Sequence, residues 1–271
     1  MVLVKEITEG STIAVRGLDL QLFWQLNQLL PNSLVSISDL NINRGEGLFP
    51  YCQLPARNAL KAALIAYAQP LTINSAYRSV IAQAMLYSQK QRGLINNLVG
   101  YPGKSDHQKG ASLDIEEWAK VKSLMTSHGW RWTYGNKDPM HFDCTSNQIR
   151  DIRPNSIKAF QKLWNKANAN KQIAEDGDLG EKTLDCIYNS PAEGFSNVGY
   201  PRVLKLTSPL QQGKDVGELQ LAIRKADIQL QQANQVFDQA TEQAVKAFQQ
   251  SKGLSPDGVV GEETRSLLQL N

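Results

Sequence analysis

The sequence predicts an α+β fold over about the first 150 residues, followed by small all-helical modules. Three observations carry that division. Helical and alternating apolar patterns are interleaved as far as about residue 150. Past Arg153-Pro154 only short helices and turns are legible. Within that C-terminal region a single pattern is used twice, the mark of a supersecondary unit employed again. A length of 271 residues fits two or three domains, at roughly 100–200 residues each.

In chain order, Leu60, Ala63, Leu64 and Tyr67 fall at helical spacing after Pro55, and Pro70 stops that helix. Leu71-Thr72-Ile73-Asn74 reads as a short strand. A second helix covers Val80 to Gln91 with Gly93 behind it, and the polar stretch Asn96 to Asp106 reads as a loop. A third helix runs from about Glu116 to His128 and ends at Gly129. Trp130-Arg131-Trp132-Thr133-Tyr134 then alternates as an aromatic strand.

In the C-terminal region, Lys158-Ala159-Phe160-Gln161 returns as Lys246-Ala247-Phe248-Gln249, and Asp176-Gly177-Asp178-Leu179-Gly180-Glu181-Lys182-Thr183 as Asp257-Gly258-Val259-Val260-Gly261-Glu262-Glu263-Thr264. In this D-G-x-x-G-x-x-T pattern the glycines supply a tight turn, and the threonine sits where a helix can start. Between the copies the chain is rich in Pro, Gly and Ser. The expected segments are therefore 1–150, a partial repeat over 151–190, a linker over 191–207 and a fuller module over 208–271.

Composition narrows the function. A formal charge of +3, scattered and without a Lys/Arg block, argues against a nucleic-acid partner. No apolar stretch is long enough for a membrane span. The first ten residues are broken by charges and lack the apolar run of a secretory signal, so export is unconventional or a leader has been removed. Cys52, Cys144 and Cys186 are odd in number and widely spaced, which suggests neither a disulfide framework nor a cysteine metal site.

The chemistry concentrates in Ser105-Asp106-His107-Gln108-Lys109-Gly110-Ala111-Ser112-Leu113-Asp114 and in Asp138-Pro139-Met140-His141. A catalytic zinc takes three protein ligands and keeps a fourth position open; histidine nitrogens and carboxylate oxygens both serve. His107, Asp114 and His141 supply such a set. On one continuous strand the first two would face opposite sides, so Gly110 must permit a turn that brings His107 back. Alternation in Met140-His141-Phe142-Asp143 sends Met140 and Phe142 to an apolar layer and His141 to the other face. Hydrolysis also needs a proton acceptor, for which Asp138 is the best placed candidate. Arg78 is suited either to an oxyanion or to a substrate carboxylate. His128 precedes Gly129 in a last helical turn and reads as structural. Asp143 is either an orienting partner for a ligand or a surface carboxylate. Trp130 and Trp132 are either cleft or core.

Taken together, Ser75-Ala76-Tyr77-Arg78-Ser79 with Gln83 and Tyr87, then Ser105-x-His107-x-x-Gly110-x-x-x-Asp114, then Asp138-x-x-His141, resembles the zinc D-alanyl-D-alanine carboxypeptidase family over about residues 55–145. That family includes VanY-type carboxypeptidases and L-alanyl-D-glutamate endolysins. The resemblance implies a small antiparallel sheet flanked by helices, and one Zn2+ held by His107, Asp114 and His141. It also implies base catalysis by Asp138, substrate or transition-state contact by Arg78, and substrate binding by Ser75, Tyr77, Gln83 and Ser105. Ser112 stands where many members have Ala. Asp138 stands where the VanY-like branch has Glu, which leaves the scissile bond open.

Gly213, Val216, Leu219, Gln220, Phe237-Asp238, Thr241, Ala244, Val245, Phe248, Gln249, Gly253 and Asp257-Gly258 resemble the peptidoglycan-binding domain, well over 208–271 and only partially over 155–190. The two resemblances imply a D-alanyl-D-alanine carboxypeptidase acting on peptidoglycan at the cell wall, in the periplasm or outside the cell; a monomer is expected, though the sequence leaves the oligomeric state open. The alternatives are an L-alanyl-D-glutamate endopeptidase and a non-catalytic peptidoglycan-binding protein with a structural metal. A calcium site would call for more oxygen ligands than this set offers.

Overall fold

In the computed structural model, residues 2–196, 198–199 and 201–270 are described. After two short 3-10 turns the chain enters α1 (Arg16–Leu29), whose Leu18, Leu22 and Leu26 are fully buried. Short strands β1 (Val35–Ser36), β2 (Ile42–Arg44) and β3 (Tyr51–Cys52) follow. Helix α2 (Leu54–Tyr67) starts with Pro55 in its first turn, where a missing N–H costs no helical hydrogen bond. Next come β4 (Leu71–Ser75), α3 (Val80–Gln91), β5 (Ser112–Ile115), α4 (Trp118–Ser127), β6 (Trp130–Arg131) and β7 (His141–Cys144). The C-terminal region holds α5 (Arg153–Ala167), α6 (Glu181–Tyr188), α7 (Lys214–Lys225), α8 (Gln239–Ser251) and α9 (Glu262–Leu267). The fold is α+β, and no described helix is long and apolar enough to cross a membrane.

The main sheet has the order β2-β4-β5-β7-β6. All its pairings are antiparallel except β2 with β4, which is parallel; β1 pairs with β3 separately. Alternation buries Leu71, Ile73, Leu113, Ile115 and Phe142 on one face, against Leu60 and Leu64 of α2 and Val121 and Met125 of α4. The other face is left for chemistry. The aromatic strand is shorter than its alternation predicts: Trp132 leaves the sheet and stacks on Trp118 with centroids 5.8 Å apart and planes 12° apart. Aromatic packing there outweighs strand pairing.

Helices α5 and α6 share their core with the N-terminal region. Ile157, Phe160, Leu163, Trp164 and Ile187 pack with Leu18 and Leu22 of α1 and Val80, Ile81 and Met85 of α3. The start of the expected linker is fastened to the same core. Ala192, Phe195 and Val198 are buried, and Gln21 both donates to the Phe195 carbonyl and accepts from its N–H, each at 2.8 Å. Those apolar side chains fix a segment whose Pro and Gly content reads as a tether. A separate core joins Leu204, Val216, Leu219, Ile223, Phe237, Val245, Phe248 and Val260 of the C-terminal module.

Among the described residues the repeat occurs three times. Gln161 Nε2 donates to Asp176 Oδ1 at 2.7 Å, to the Asp178 carbonyl at 3.1 Å and to Thr183 Oγ1 at 3.3 Å, while its Oε1 accepts from Gly177 N–H. Gln249 makes the same four bonds with Asp257, Val259, Thr264 and Gly258. Gln220 makes them with Asn234, Val236, Thr241 and Gln235. In the third copy Gln235 occupies, at φ +63°, the left-handed position that Gly177 and Gly258 fill in the other two.

Candidate active site

The polar face of the sheet assembles the site by register. Ser75 pairs with Asp114, and Asp114 pairs with His141, so three adjacent strands present three polar side chains side by side. His107 comes from a 3-10 turn, Asp106–Lys109, closed by Gly110 at φ +70°. A Cβ on Gly110 would press on the tip of the Leu34 side chain, 2.4 Å away, and it is the left-handed φ of the turn that calls for glycine.

His107 Nε2 lies 3.2 Å from Asp114 Oδ1 and 3.1 Å from His141 Nδ1, and His141 Nδ1 lies 3.4 Å from Asp114 Oδ1. The far nitrogens fix the protons. His107 Nδ1 is 2.9 Å from the Ala76 carbonyl, which can only accept, and His141 Nε2 is 2.9 Å from Asp143 Oδ1. With both protons placed outward, two nitrogen lone pairs and a carboxylate oxygen face one another with no hydrogen between them. That arrangement is repulsive without a cation. Ligands about 2.0–2.1 Å from a tetrahedral zinc stand roughly 3.3–3.4 Å apart, close to the spacings found. The donor set and its geometry therefore fit one such ion.

Charge reinforces this reading. Burial raises the Asp114 pKa, but His107, His141 and Arg78 outweigh burial and hold the carboxyl well below the usual range. Burial lowers the His141 pKa, yet Asp114 and Asp143 push it up to about 9: with no cation bound, the cluster relieves its repulsion by drawing a second proton onto His141, and a metal ion would take that proton's place. Asp143 is buried; it accepts from Ser112 Oγ at 2.6 Å and from Thr133 Oγ1, and these bonds with that of His141 bring it down to about 2 against its burial.

Arg78 follows β4 and points back over the sheet. Its guanidinium donates to Ser75 Oγ at 3.0 Å, Gln83 Oε1 at 3.2 Å and Asp114 Oδ2 at 3.4 Å. Burial pulls its pKa down, and Asp114 and Asp138 pull it back up. Asp138 ends a short turn whose geometry is held by His141 N–H on the Asp138 carbonyl and by Trp132 Nε1–H on the Pro139 carbonyl, at 3.2 and 2.8 Å. Its side chain is half-buried; burial and then Asp114 raise its pKa. Arg78, His107, Asp114, Asp138 and His141 all line one cleft.

Residues 53–148 match the family model of D-alanyl-D-alanine carboxypeptidases, and residues 212–268 match that of the peptidoglycan binding domain. Over 53–148 the chain is similar to this carboxypeptidase family. No curated protein matches the chain. The pairing of the carboxypeptidase domain with the wall-binding domain marks a peptidase that acts on peptidoglycan.

Most residues singled out in the sequence reach this cleft. Ser75, Gln83 and Ser105 line it with the five named above. Gln83 has both ends of its amide engaged, on Arg78 and on the Gly100 carbonyl at 2.8 Å, so it holds the arginine rather than facing substrate. Tyr77 is a correction. It is buried in a different cluster with Phe49 and Ile152, and its hydroxyl meets Ser156 Oγ at 3.0 Å. The chain turns out of the sheet after Ser75, which sends Tyr77 into the packing under α5. Met140 also differs from expectation. Because β7 begins only at His141, Met140 lines the cleft instead of the apolar layer. Trp130 is core, and His128 Nδ1–H satisfies the Leu124 carbonyl at 2.8 Å near the end of α4. Tyr134 is a cleft residue that the sequence pattern hides; its ring sits 4.9 Å from that of His141. Its place in an apparent aromatic strand disguises it.

Proposed function

We propose that the chain is a zinc-dependent D-alanyl-D-alanine carboxypeptidase, which removes the terminal D-alanine from peptidoglycan stem peptides while the 212–268 domain holds it on the wall. The observation that carries the reading is the convergence of three donor atoms, one each from His107, Asp114 and His141, in the cleft that also holds Arg78 and Asp138.

A zinc ion on the three donors would supply Lewis acidity towards a water and the scissile carbonyl. Asp138 accepts the proton that the attacking water loses as its oxygen joins the carbonyl carbon. It returns that proton to the nitrogen when the C–N bond breaks. A pKa raised by burial and by Asp114 suits a carboxyl that must both take and give. Three hydrogen bonds already fix the Arg78 guanidinium, which leaves further N–H donors for the terminal carboxylate of the substrate. Because the carboxylate contact is preorganised by Ser75 and Gln83, little side-chain entropy is lost on binding.

Mass spectrometry of products from defined muropeptides tests the bond. Loss of one D-alanine is expected; separation of L-alanine from D-glutamate would make the chain an endopeptidase instead. Asp138→Asn should retain one zinc per chain and lose roughly 10²–10⁴-fold in turnover. Zinc-loaded wild type that binds walls and cleaves nothing would favour the non-catalytic reading.

A further inference from the structure

Arg78 is held from the sheet side by Ser75 and from the helix side by Gln83, so its placement depends on where α3 begins. Ser79 caps α3: its hydroxyl oxygen accepts from Ile81 N–H at 3.1 Å and Ala82 N–H at 3.0 Å, and the Gln83 N–H bonds the Ser79 carbonyl at 3.0 Å. A hydroxyl has one proton left to give. Ser79 gives it to Oδ1 of Asp19, in the first turn of α1.

We propose that Asp19 is a positioning residue for Arg78, acting through the Ser79 cap to lock the start of α3 against α1. A serine alone would cap the helix. What the aspartate adds is an anchor, because α1 is packed along α5 and lies outside the 53–148 span shared with the family. The same stretch of chain braces the cleft elsewhere. Thr12 Oγ1 and Arg16 donate to the Gly47 carbonyl at 2.8 and 3.0 Å, and Ser11, Thr12 and Gly47 line the cleft. Asp19 is only 5% exposed, and burial is the largest influence on it, raising its pKa to about 6 against Ser79 and Arg16. A buried carboxyl costs stability that an apolar residue would not, as expected of a group kept for what it holds in place.

The inference rests on Arg78 serving the substrate, so it is tested in two ways that fail separately. On whichever bond the wild type cuts, Asp19→Ala should raise KM about tenfold with kcat changed less than twofold. Asp19→Asn, which still accepts from Ser79, should recover most of that loss. In an Arg78→Lys background Asp19→Ala should cost less than twofold. Independently of activity, the Arg78 Nε–H resonance, assigned through Arg78→Lys, should stay sharp in wild type and Asp19→Asn and broaden or shift in Asp19→Ala. Thermal unfolding checks each variant, with Asp19→Ser used in place of Asp19→Ala if the latter unfolds at assay temperature. Equal losses in the two Arg78 backgrounds, or an unmoved Arg78 resonance in the folded variant, would overturn the proposal. An unexpected cleavage product would overturn the carboxypeptidase reading and leave this one standing.

Discussion

At the scale of single residues, the protons on the two histidines determine what the site can hold, and Asp143 controls one of them. Its carboxylate takes the His141 Nε2 proton at 2.9 Å and is itself fixed by Ser112 and Thr133. Removing it frees the imidazole to flip its tautomer and its orientation. Asp143→Ala is therefore expected to weaken zinc about 10–100-fold in a competitive chelator titration, with the fold unchanged by circular dichroism. Asp19 gives a second prediction, with its sign set by linkage. Its pKa is raised from 3.8 to about 6 in the folded chain, so the folded state binds this proton more tightly than the unfolded chain does. The contribution is present in full below the unfolded value and is lost as pH rises through about 6. Two pKa units correspond to about 3 kcal/mol. In denaturant unfolding, wild type should lose up to about that much relative to Asp19→Asn between acid and neutral pH, and a difference independent of pH would count against the buried ionisation.

At the scale of elements, each copy of the helix–turn–helix unit is centred on one glutamine that satisfies four polar partners, and each is expected to be locally indispensable. Leaving those partners unpaired costs about 1–3 kcal/mol per buried group. Gln161→Met should lower the thermal stability of the peptidase region and its activity on soluble peptides, while Gln249→Met should impair wall binding and spare soluble turnover. Assays on free muropeptide and pull-down with sacculi separate the two. These elements also show what a sequence conveys. The donor set His107, Asp114 and His141, the turn at Gly110 and the span of α3 are readable because residue type, helical spacing and a glycine are local signals. Two copies of the glutamine unit are readable through Asp-Gly. The third is not, because Asn234-Gln235 replaces the glycine whose conformation it copies. Tyr77 and Trp132 escape a local reading for a different reason: their directions are set by partners far along the chain, Ser156 and Trp118.

At the scale of the whole molecule, the packing divides the chain differently from its composition, and that difference can be measured. Helices α5 and α6 carry the repeated unit, yet Phe160, Leu163 and Ile187 cover Leu18, Leu22, Val80 and Met85, and Ala192, Phe195 and Val198 close over the same core. We propose that the catalytic body extends to about Val198 and that the wall-binding unit starts near Arg202, whose side chain pairs with Asp215 at 2.8 Å and whose carbonyl accepts from Arg265. A chain ending at residue 150 would expose that core, and losing Phe160 alone is worth about 3–5 kcal/mol by the cost of large-to-alanine core changes; it is expected to aggregate or stay unfolded. A chain ending after Val198 should fold and cleave soluble muropeptides within about twofold of the full chain. On intact sacculi it should be slower, because tethering multiplies encounters by effective concentration and leaves the chemical step alone; gains of about 10²–10⁴ are available to linked binders in general. Turnover of both substrates by the two truncated chains and the full chain, side by side, checks the boundary. If the shorter chain folds and works, α5 and α6 belong with the wall-binding units after all. If only the longer one does, the repeat nearest the active site has been absorbed into the catalytic body, where its apolar face supports α1 and α3 instead of presenting a surface to the wall.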